Sequence, residues 1–299
     1  MQVSKRLKFS KITLYNFSEV KYNADSIKYL FRGQRKGIYI MKKIIAVLLA
    51  VMLMLTCFTA CGAKEDSDMA YVKKNGKIVV GITDYAPMDY KDENGEWTGF
   101  DAEFARLFAG HLGVDCEFFV IPNWGTKFME LETKQIDAVW NGMTITEEAE
   151  ANSNVSDPYV INAQVVVMKN DAVANYADAA ALAGLNIAVE SGSAGESCAN
   201  EIEGANVIPL QNQEAALMEV AAGTSDACVI DITMANAMTG EGTNYADLGY
   251  QLSLSEELYG VSFRKDSDLT EEFNAFMIEL RNEGTLRTLA DKYGLTLAE

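Results

Sequence analysis

Five strand-end segments carry the residue types that could recognise or transform a small molecule. Asp84-Tyr85 follows the apolar run Lys77–Gly81 (KIVVG), and Asn123-Trp124 follows Val120. Asn141-Gly142-Met143-Thr144 follows Trp140, Ser191-Gly192-Ser193-Ala194-Gly195 follows Val189, and Asp231 follows Ile230. Asp231 offers a carboxylate, suited to a ligand ammonium through charge-assisted hydrogen bonds and equally to capping the helix behind it. Tyr85 and Trp124, beside Pro87 and Gly125, read as core aromatics or as a platform for a ligand. Asn141-Gly142 is a turn or a binding segment. Ser193 caps a helix or, with Ala194, presents N–H groups and a helix dipole to a carboxylate. Between them the segments could meet the ammonium and the carboxylate of a small polar solute, or serve only as core, turn and caps. His111 is the only histidine, so a multi-His metal site and a His-based triad are both excluded, and no cofactor is expected.

These segments need elements to position them, and the hydrophobic pattern supplies two similar sets. The first runs Lys77–Gly81 as strand, Asp92-Glu93-Asn94-Gly95 as a hairpin turn returning through Trp97, and Phe100 to Leu112 as helix with Phe100, Phe104, Leu107 and Phe108 on one face. Val114–Val120, Thr126–Lys134 and Ile136–Trp140 continue it as strand, helix and strand. The second set is Leu185–Val189 (strand), Gly195–Glu201 (helix), Asn206–Leu210 (strand), Gln213–Ala222 (helix ending at Gly223), Ala227–Ile230 (strand) and Ile232–Thr239 (helix). Strand–helix alternation predicts an α/β fold of two lobes, each a mainly parallel sheet flanked by helices. In such sheets ligands bind outside the carboxyl ends of the strands, where all five segments lie. Ala163–Met168 and a stretch near Tyr250–Leu258 are expected to cross between lobes as a two-strand hinge. Lobe one then comprises 77–163 and 255–299, and lobe two 168–250. Tyr259–Phe263 reads as strand, Asp268–Arg281 and Thr285–Tyr293 as helices.

The ordered motifs resemble a known family. Tyr85-Ala86-Pro87-Met88, Glu96-Trp97-Thr98-Gly99-Phe100-Asp101, Ile136 to Thr146 (IDAVWNGMTIT), Ser156-Asp157-Pro158-Tyr159, Tyr259 to Lys265 (YGVSFRK) and Asn282-Glu283-Gly284-Thr285-Leu286 look like the extracytoplasmic solute-binding proteins of ABC importers, polar amino-acid-binding family. The resemblance covers Lys77 to Leu295. It implies a periplasmic-binding-protein fold that closes on its ligand and docks on permease subunits. It also implies roles: Tyr85 stacks on the ligand side chain and Trp124 adds a second contact. Asn141, Gly142 and Thr144 bind amino and carboxylate groups. Ser193 and Ala194 hold the carboxylate, and Asp231 pairs with the ammonium.

One position departs from the pattern. Five residues after Thr144 the family usually carries an arginine that clamps the carboxylate; here it is Ala149, among acidic neighbours. Only Arg106, Arg264, Arg281 and Arg287 follow residue 60, none beside a cleft motif. Three substitutes stand open: Lys127 at its helix start, the N–H groups at Ser193-Ala194, or a ligand that is not a standard α-amino acid. For Lys127 a solvated helix position is the plainer expectation. Two other readings share the fold: a dehydratase-like enzyme using Asp84 or Asp231 as acid–base group, and the ligand-sensing subunit of a membrane receptor.

The chain has 299 residues, of which 49% are apolar and 23% charged, so it is globular rather than disordered or fibrous. Residues 1–60 carry 11 Lys/Arg and 2 Asp/Glu, whereas 61–299 carry 14 and 41. So acidic a body has no footprint for nucleic acid. Met41-Lys42-Lys43, the uncharged stretch Ile44–Phe58 and Thr59-Ala60-Cys61-Gly62 resemble a lipoprotein signal at 41–60, with cleavage before Cys61 and a lipid on its sulfur. Residues 1–40 read as an over-extended start, and 61–76 as a tether. The chain is expected to act as a monomer, outside the cytoplasm and lipid-anchored. Of the other cysteines, Cys116 and Cys228 lie in strand-like runs, and a Cys198–Cys228 bridge stays open.

Overall fold

A computed structural model describes residues 67–299; the leader, Cys61 and the upstream 1–40 fall outside the described residues. In chain order the first elements are α1 (Asp68–Asn75), β1 (Lys77–Ile82), the hairpin strands β2 (Tyr90–Lys91) and β3 (Trp97–Thr98), α2 (Phe100–Leu112), β4 (Asp115–Val120), α3 (Lys127–Glu132), β5 (Ala138–Val139), α4 (Glu147–Asn152) and β6 (Asn154–Val155). Then come β7 (Val160–Lys169), β8 (Asn186–Glu190), α5 (Ala194–Asn200), β9 (Asn206–Leu210), α6 (Gln213–Ala222), β10 (Ala227–Asp231) and α7 (Ile232–Met238). The chain ends with β11 (Leu248–Tyr259), β12 (Ser262–Phe263), α8 (Leu269–Glu283) and α9 (Thr285–Tyr293).

Two five-stranded sheets result. The first has the order β4-β1-β5-β12-β6, with β1 parallel to β4 and β5 and β12 antiparallel to its neighbours. The second has the order β11-β7-β10-β8-β9, parallel from β10 to β9, with β7 antiparallel to both β10 and β11. The chain therefore enters the second sheet through β7 and leaves through β11. The crossings expected at 163–168 and 250–258 lie inside these strands, which belong to the second sheet from Val160 to Tyr259. The sheet changes at 156–160 and 259–262 instead, because the first sheet ends its pairing at Val155 and resumes at Ser262. For the same reason the strand expected over Tyr259–Phe263 is divided: Tyr259 closes β11 and Ser262 opens β12.

The amphipathic spacing of α2 holds except at Leu107, which is 40% exposed because it falls off the stripe that the residues four apart define. Phe100, Phe104, Phe108 and Leu112, four residues apart, are all buried, and Gly113 stops the helix at φ +73°. Phe104, Trp140 and Phe273 then form an aromatic core with centroids 4.9–5.3 Å apart, Trp140 meeting both phenyl rings edge-to-face and the two phenyl rings tilted to each other.

The segment expected to be a tether is structured from its middle onward. Ser67 caps α1, accepting from the Ala70 N–H at 3.2 Å, and Asp68 pairs with the buried Arg264 (Oδ1–Nε 3.0 Å). Arg264 also reaches Asp137 at 2.8 Å and the Ile136 carbonyl at 2.6 Å. The three buried charges satisfy one another, so residues 68–75 belong to the first lobe.

Cys116, Cys198 and Cys228 are free thiols. Cys228 faces the core that contains Val165 and Ile230, while Cys198 sits with Val166 and Val229 on the other face of the same sheet. Sulfurs on opposite faces of a sheet cannot bond.

Candidate functional site

Between the lobes lies a cavity of about 50 Å³ whose lining mixes both sheets. From the first lobe come Tyr85, Trp124, Lys127, Asn141, Gly142 and Thr144; from the second come Glu190, Ser193, Ala194, Gln213 and Asp231. A space that small holds only a few waters, so a solute of amino-acid size enters when the lobes part.

Asp231 ends β10 and is 4% exposed. Its side chain makes no cap to α7. Instead Oδ1 accepts from Asn162 Nδ2 and, at 2.7 Å, from Gln164 Nε2, and Oδ2 accepts from Gln213 Nε2. Asn162 and Gln164 stand two residues apart on β7, hence on one face, and Gln164 pairs directly with Asp231 in the ladder. A carboxylate has room for about four donors, so one acceptor position remains, on Oδ2. Burial raises its pKa, and the donor groups of Gln213, the Tyr259 hydroxyl, Asn162 and Gln164 pull the other way.

Lys127 opens α3 and is 5% exposed, so the solvated reading is wrong for it. Its ammonium donates across the cleft to the Gly192 carbonyl at 3.1 Å and at home to the Trp124 carbonyl at 3.4 Å. It also lies over the rings of Trp124 (5.1 Å) and Phe128 (4.9 Å). Three donors minus these two leave one N–H for a ligand. Burial lowers its pKa; the charges of Glu148 and Glu190 offset part of that. The helix pattern alone did not reveal this, because which face of a short helix meets the opposite lobe is a long-range fact.

Tyr85 is buried with its hydroxyl bonded to Thr233 (2.5 Å) in the second lobe and to Tyr259 (2.6 Å) at the end of β11. Gly142 is obligatory beside it: at φ +55° an added Cβ would lie 2.6 Å from the Tyr85 ring. Asn141 lines the cavity, but its amide is fully occupied within the first lobe. It accepts from Thr83 N (3.0 Å) and Oγ1 (2.6 Å) and donates to the Thr83 carbonyl (3.1 Å) and Asp89 (2.7 Å). Beneath it Asp101 accepts from the Gly142 N–H at 2.6 Å. Thr144 bridges to Tyr259.

Ser193 caps α5, its Oγ accepting from Glu196 N at 3.0 Å while its own N–H donates to the Glu190 carbonyl at 3.2 Å. The first-turn N–H groups that follow, beginning at Ala194, have no carbonyl one turn back. Gly192 and Gly125 meet backbone to backbone across the cleft: a Cβ on Gly192 would lie 2.4 Å from Gly125 Cα.

Two expected positions stay outside. Asp84 is exposed and faces a different depression with Lys91 and Glu214, and Ser191 spends its N–H on the Leu210 carbonyl at 2.9 Å. Ala149 is buried in an apolar cluster with Leu131 and Val139 and does not itself line the cavity. Sequence reasoning missed Gln164, Gln213 and Glu190. A signal existed for Glu190, a charged residue closing an apolar strand at the edge where ligands bind. It is 4% exposed, its Oε1 has no partner, and burial, then the charge of Asp231, pushes it up to about 8. Among the described residues no His/Cys/Asp/Glu group could hold a metal ion.

Two lobes joined by a strand pair, with a polar cleft between them, define a two-lobed binding protein. Residues 78–296 match the family described as bacterial extracellular solute-binding proteins, family 3, and the chain belongs to that family. The L-cystine-binding protein TcyJ of Escherichia coli (strain K12) is 28% identical over 226 residues, 74% of this chain and 84% of that one. A mutant of ArgBP from T. maritima superposes with TM-score 0.71 at 32% identity, covering 76% of this chain and 98% of that one. An ancestral amino acid-binding protein, a precursor of cyclohexadienyl dehydratase, gives 0.70 at 30%, covering 76% and 99%.

Proposed function

We propose that the protein captures a small ammonium-bearing solute, an amino acid or a close relative, and delivers it to the permease of an ABC importer from a lipid anchor at Cys61. The observation that carries this is the buried Asp231 carboxylate, oriented by three amides, which keeps one acceptor position and lines an inter-lobe cavity. Asp231 takes the ammonium. Lys127, with one free N–H, replaces the missing arginine at the carboxylate, aided by the N–H groups from Ala194 onward. Tyr85 and Trp124 flank the side chain, and the Gly142–Thr144 backbone completes the first-lobe wall. Asn141 positions that wall through Thr83 and Asp89 rather than touching the ligand with its amide. Opening and closing occur at 156–160 and 259–262, where the chain changes sheets.

Calorimetric titration of the standard amino acids into the purified chain tests the reading. At least one should bind, and Asp231→Asn should weaken it by about 100-fold, the scale of losing one partner of a buried charge pair. Unchanged affinity in Asp231→Asn would refute the assignment. The dehydratase-precursor neighbour supports a second reading, an enzyme on this scaffold with Glu190 as a protonated acid. Loss of a cyclohexadienyl acid from solution in the presence of the protein would establish it.

A further inference from the structure

Glu190 is the one buried charged group of the cavity lining to which solute capture, as proposed, gives no role. Asp231 is saturated but for one position, and Lys127 retains one donor. Glu190 closes β8, lines the same cavity, is almost wholly buried, and has an oxygen with no hydrogen-bond partner. A buried carboxyl oxygen without a partner costs free energy unless something arrives to meet it. The groups facing it are Asp231 from β10, Lys127 from α3 and Gln213 from α6. Gln213 is already donating to Asp231, and Lys127 to two carbonyls. With its carboxylates ionised the lining, which also includes the exposed Glu148, holds three negative charges against one positive, and the usual second positive charge is missing at Ala149.

Resting on the proposed function, we infer that Glu190 receives a second cationic group of the ligand, so that the protein selects solutes with two positive charges and at most one carboxylate. Basic α-amino acids and the diamines derived from them share this chemistry. They differ in whether Lys127 has a carboxylate to meet. Asp231 and Glu190 both belong to the second lobe, so a dication is gripped by one lobe before the other closes. Neutral amino acids leave Glu190 unpartnered, and acidic ones place like charge against it.

Isothermal titration of the purified chain tests this with matched solutes: L-lysine against L-norleucine, L-arginine against L-citrulline, and the decarboxylated forms cadaverine and agmatine. The charged member of at least one pair should bind at least tenfold tighter than its neutral counterpart. Glu190→Gln, nearly isosteric, should remove most of that ratio. A ratio unchanged in Glu190→Gln, or tighter binding of the neutral member, overturns the inference. The unaltered protein gives an independent readout. Because burial holds Glu190 up at about 8, pairing it with a cation near pH 7 should release a proton, seen as a binding enthalpy that varies with the buffer's ionisation enthalpy. No release when a dication binds the unaltered protein overturns the inference independently of how the variant folds. If no ammonium-bearing solute binds, or Asp231→Asn has no effect, the proposed function has failed. If ammonium binding depends on Asp231 but charge selectivity does not depend on Glu190, only this inference has. Amines binding as tightly as the amino acids would identify the diamines as the ligand class.

Discussion

Lys127 shows how one ammonium can serve two ends at once. It sits on aromatic faces, donates to one carbonyl in each lobe, and keeps a third N–H. An arginine at the Ala149 position would have gripped a carboxylate with a planar fork; a lysine offers a point charge and a single bond. Lys127→Met should therefore weaken amino-acid binding by about 10- to 100-fold, the loss of one charge-assisted hydrogen bond, with little effect on any diamine. Equal losses for both classes in a titration would show that Lys127 acts only in closure. At this scale the sequence was informative wherever the rule about strand ends applied. Tyr85, Trp124, Gly142, Thr144 and Asp231 all lie where that rule puts them. It failed for Asp84, whose backbone position is right and whose side chain turns outward. It was silent on Gln164 and Gln213, because a glutamine inside an apolar strand or opening a helix has no sequence mark of the carboxylate it serves.

Among the elements, the periodic ones were legible nearly to the residue. The α2, β9, α6 and α9 spans coincide with their expected ranges, since each has an apolar face and most end on a glycine in the left-handed region. The misread element was α1, whose Val72 is buried in the core and whose polar anchors, Asp68 on Arg264 and the Met69 N–H on Asp268, lie nearly two hundred residues away. No local pattern encodes such a contact. Asp68→Ala should lower stability by about 2 kcal/mol in urea unfolding, less than the full cost of a broken buried pair because Asp137 still holds the guanidinium. A change below about 0.5 kcal/mol, the scale of an ordinary surface substitution, would mean that the burial of Val72 holds α1 in place without the ion pair. The strand pair β7 and β11 is a second case: extended crossings were expected there, but the allegiance of both strands to one sheet was settled by pairing. Gly192→Ala belongs here too. Its Cβ meets Gly125 backbone rather than a flexible side chain, so closure should be obstructed and affinity should fall for every ligand alike. Small-angle scattering with saturating ligand would then show the variant more extended than the parent. Equal dimensions would mean that the backbones can shift apart locally without opening the cleft.

Across the molecule, buried acids govern the response to pH. Burial pushes Glu190 up to about 8, and Asp101 and Glu257 up to about 7. Unfolded carboxyls titrate near ~4. Between those values the folded chain keeps protons that the unfolded chain has released, so stability is fullest below the unfolded pKa and is lost as pH rises toward 8. The surplus of acidic residues acts in the same direction, since self-repulsion grows as they ionise. The urea midpoint of the ligand-free protein should be higher at pH 5.5 than at pH 8.5. The opposite order would mean that these carboxyls are solvated in solution.

The contact between Gly125 and Gly192 also bears on the length of the cargo. At that rim the lobes meet with no side chain on either, and the gap is already less than one methyl group. A solute whose chain continued past the rim would have to lie where the two backbones touch, and no rotamer change could make way for it. Peptides running in that direction are therefore turned away by the thickness of the main chain itself, however well their first residue suits the pocket.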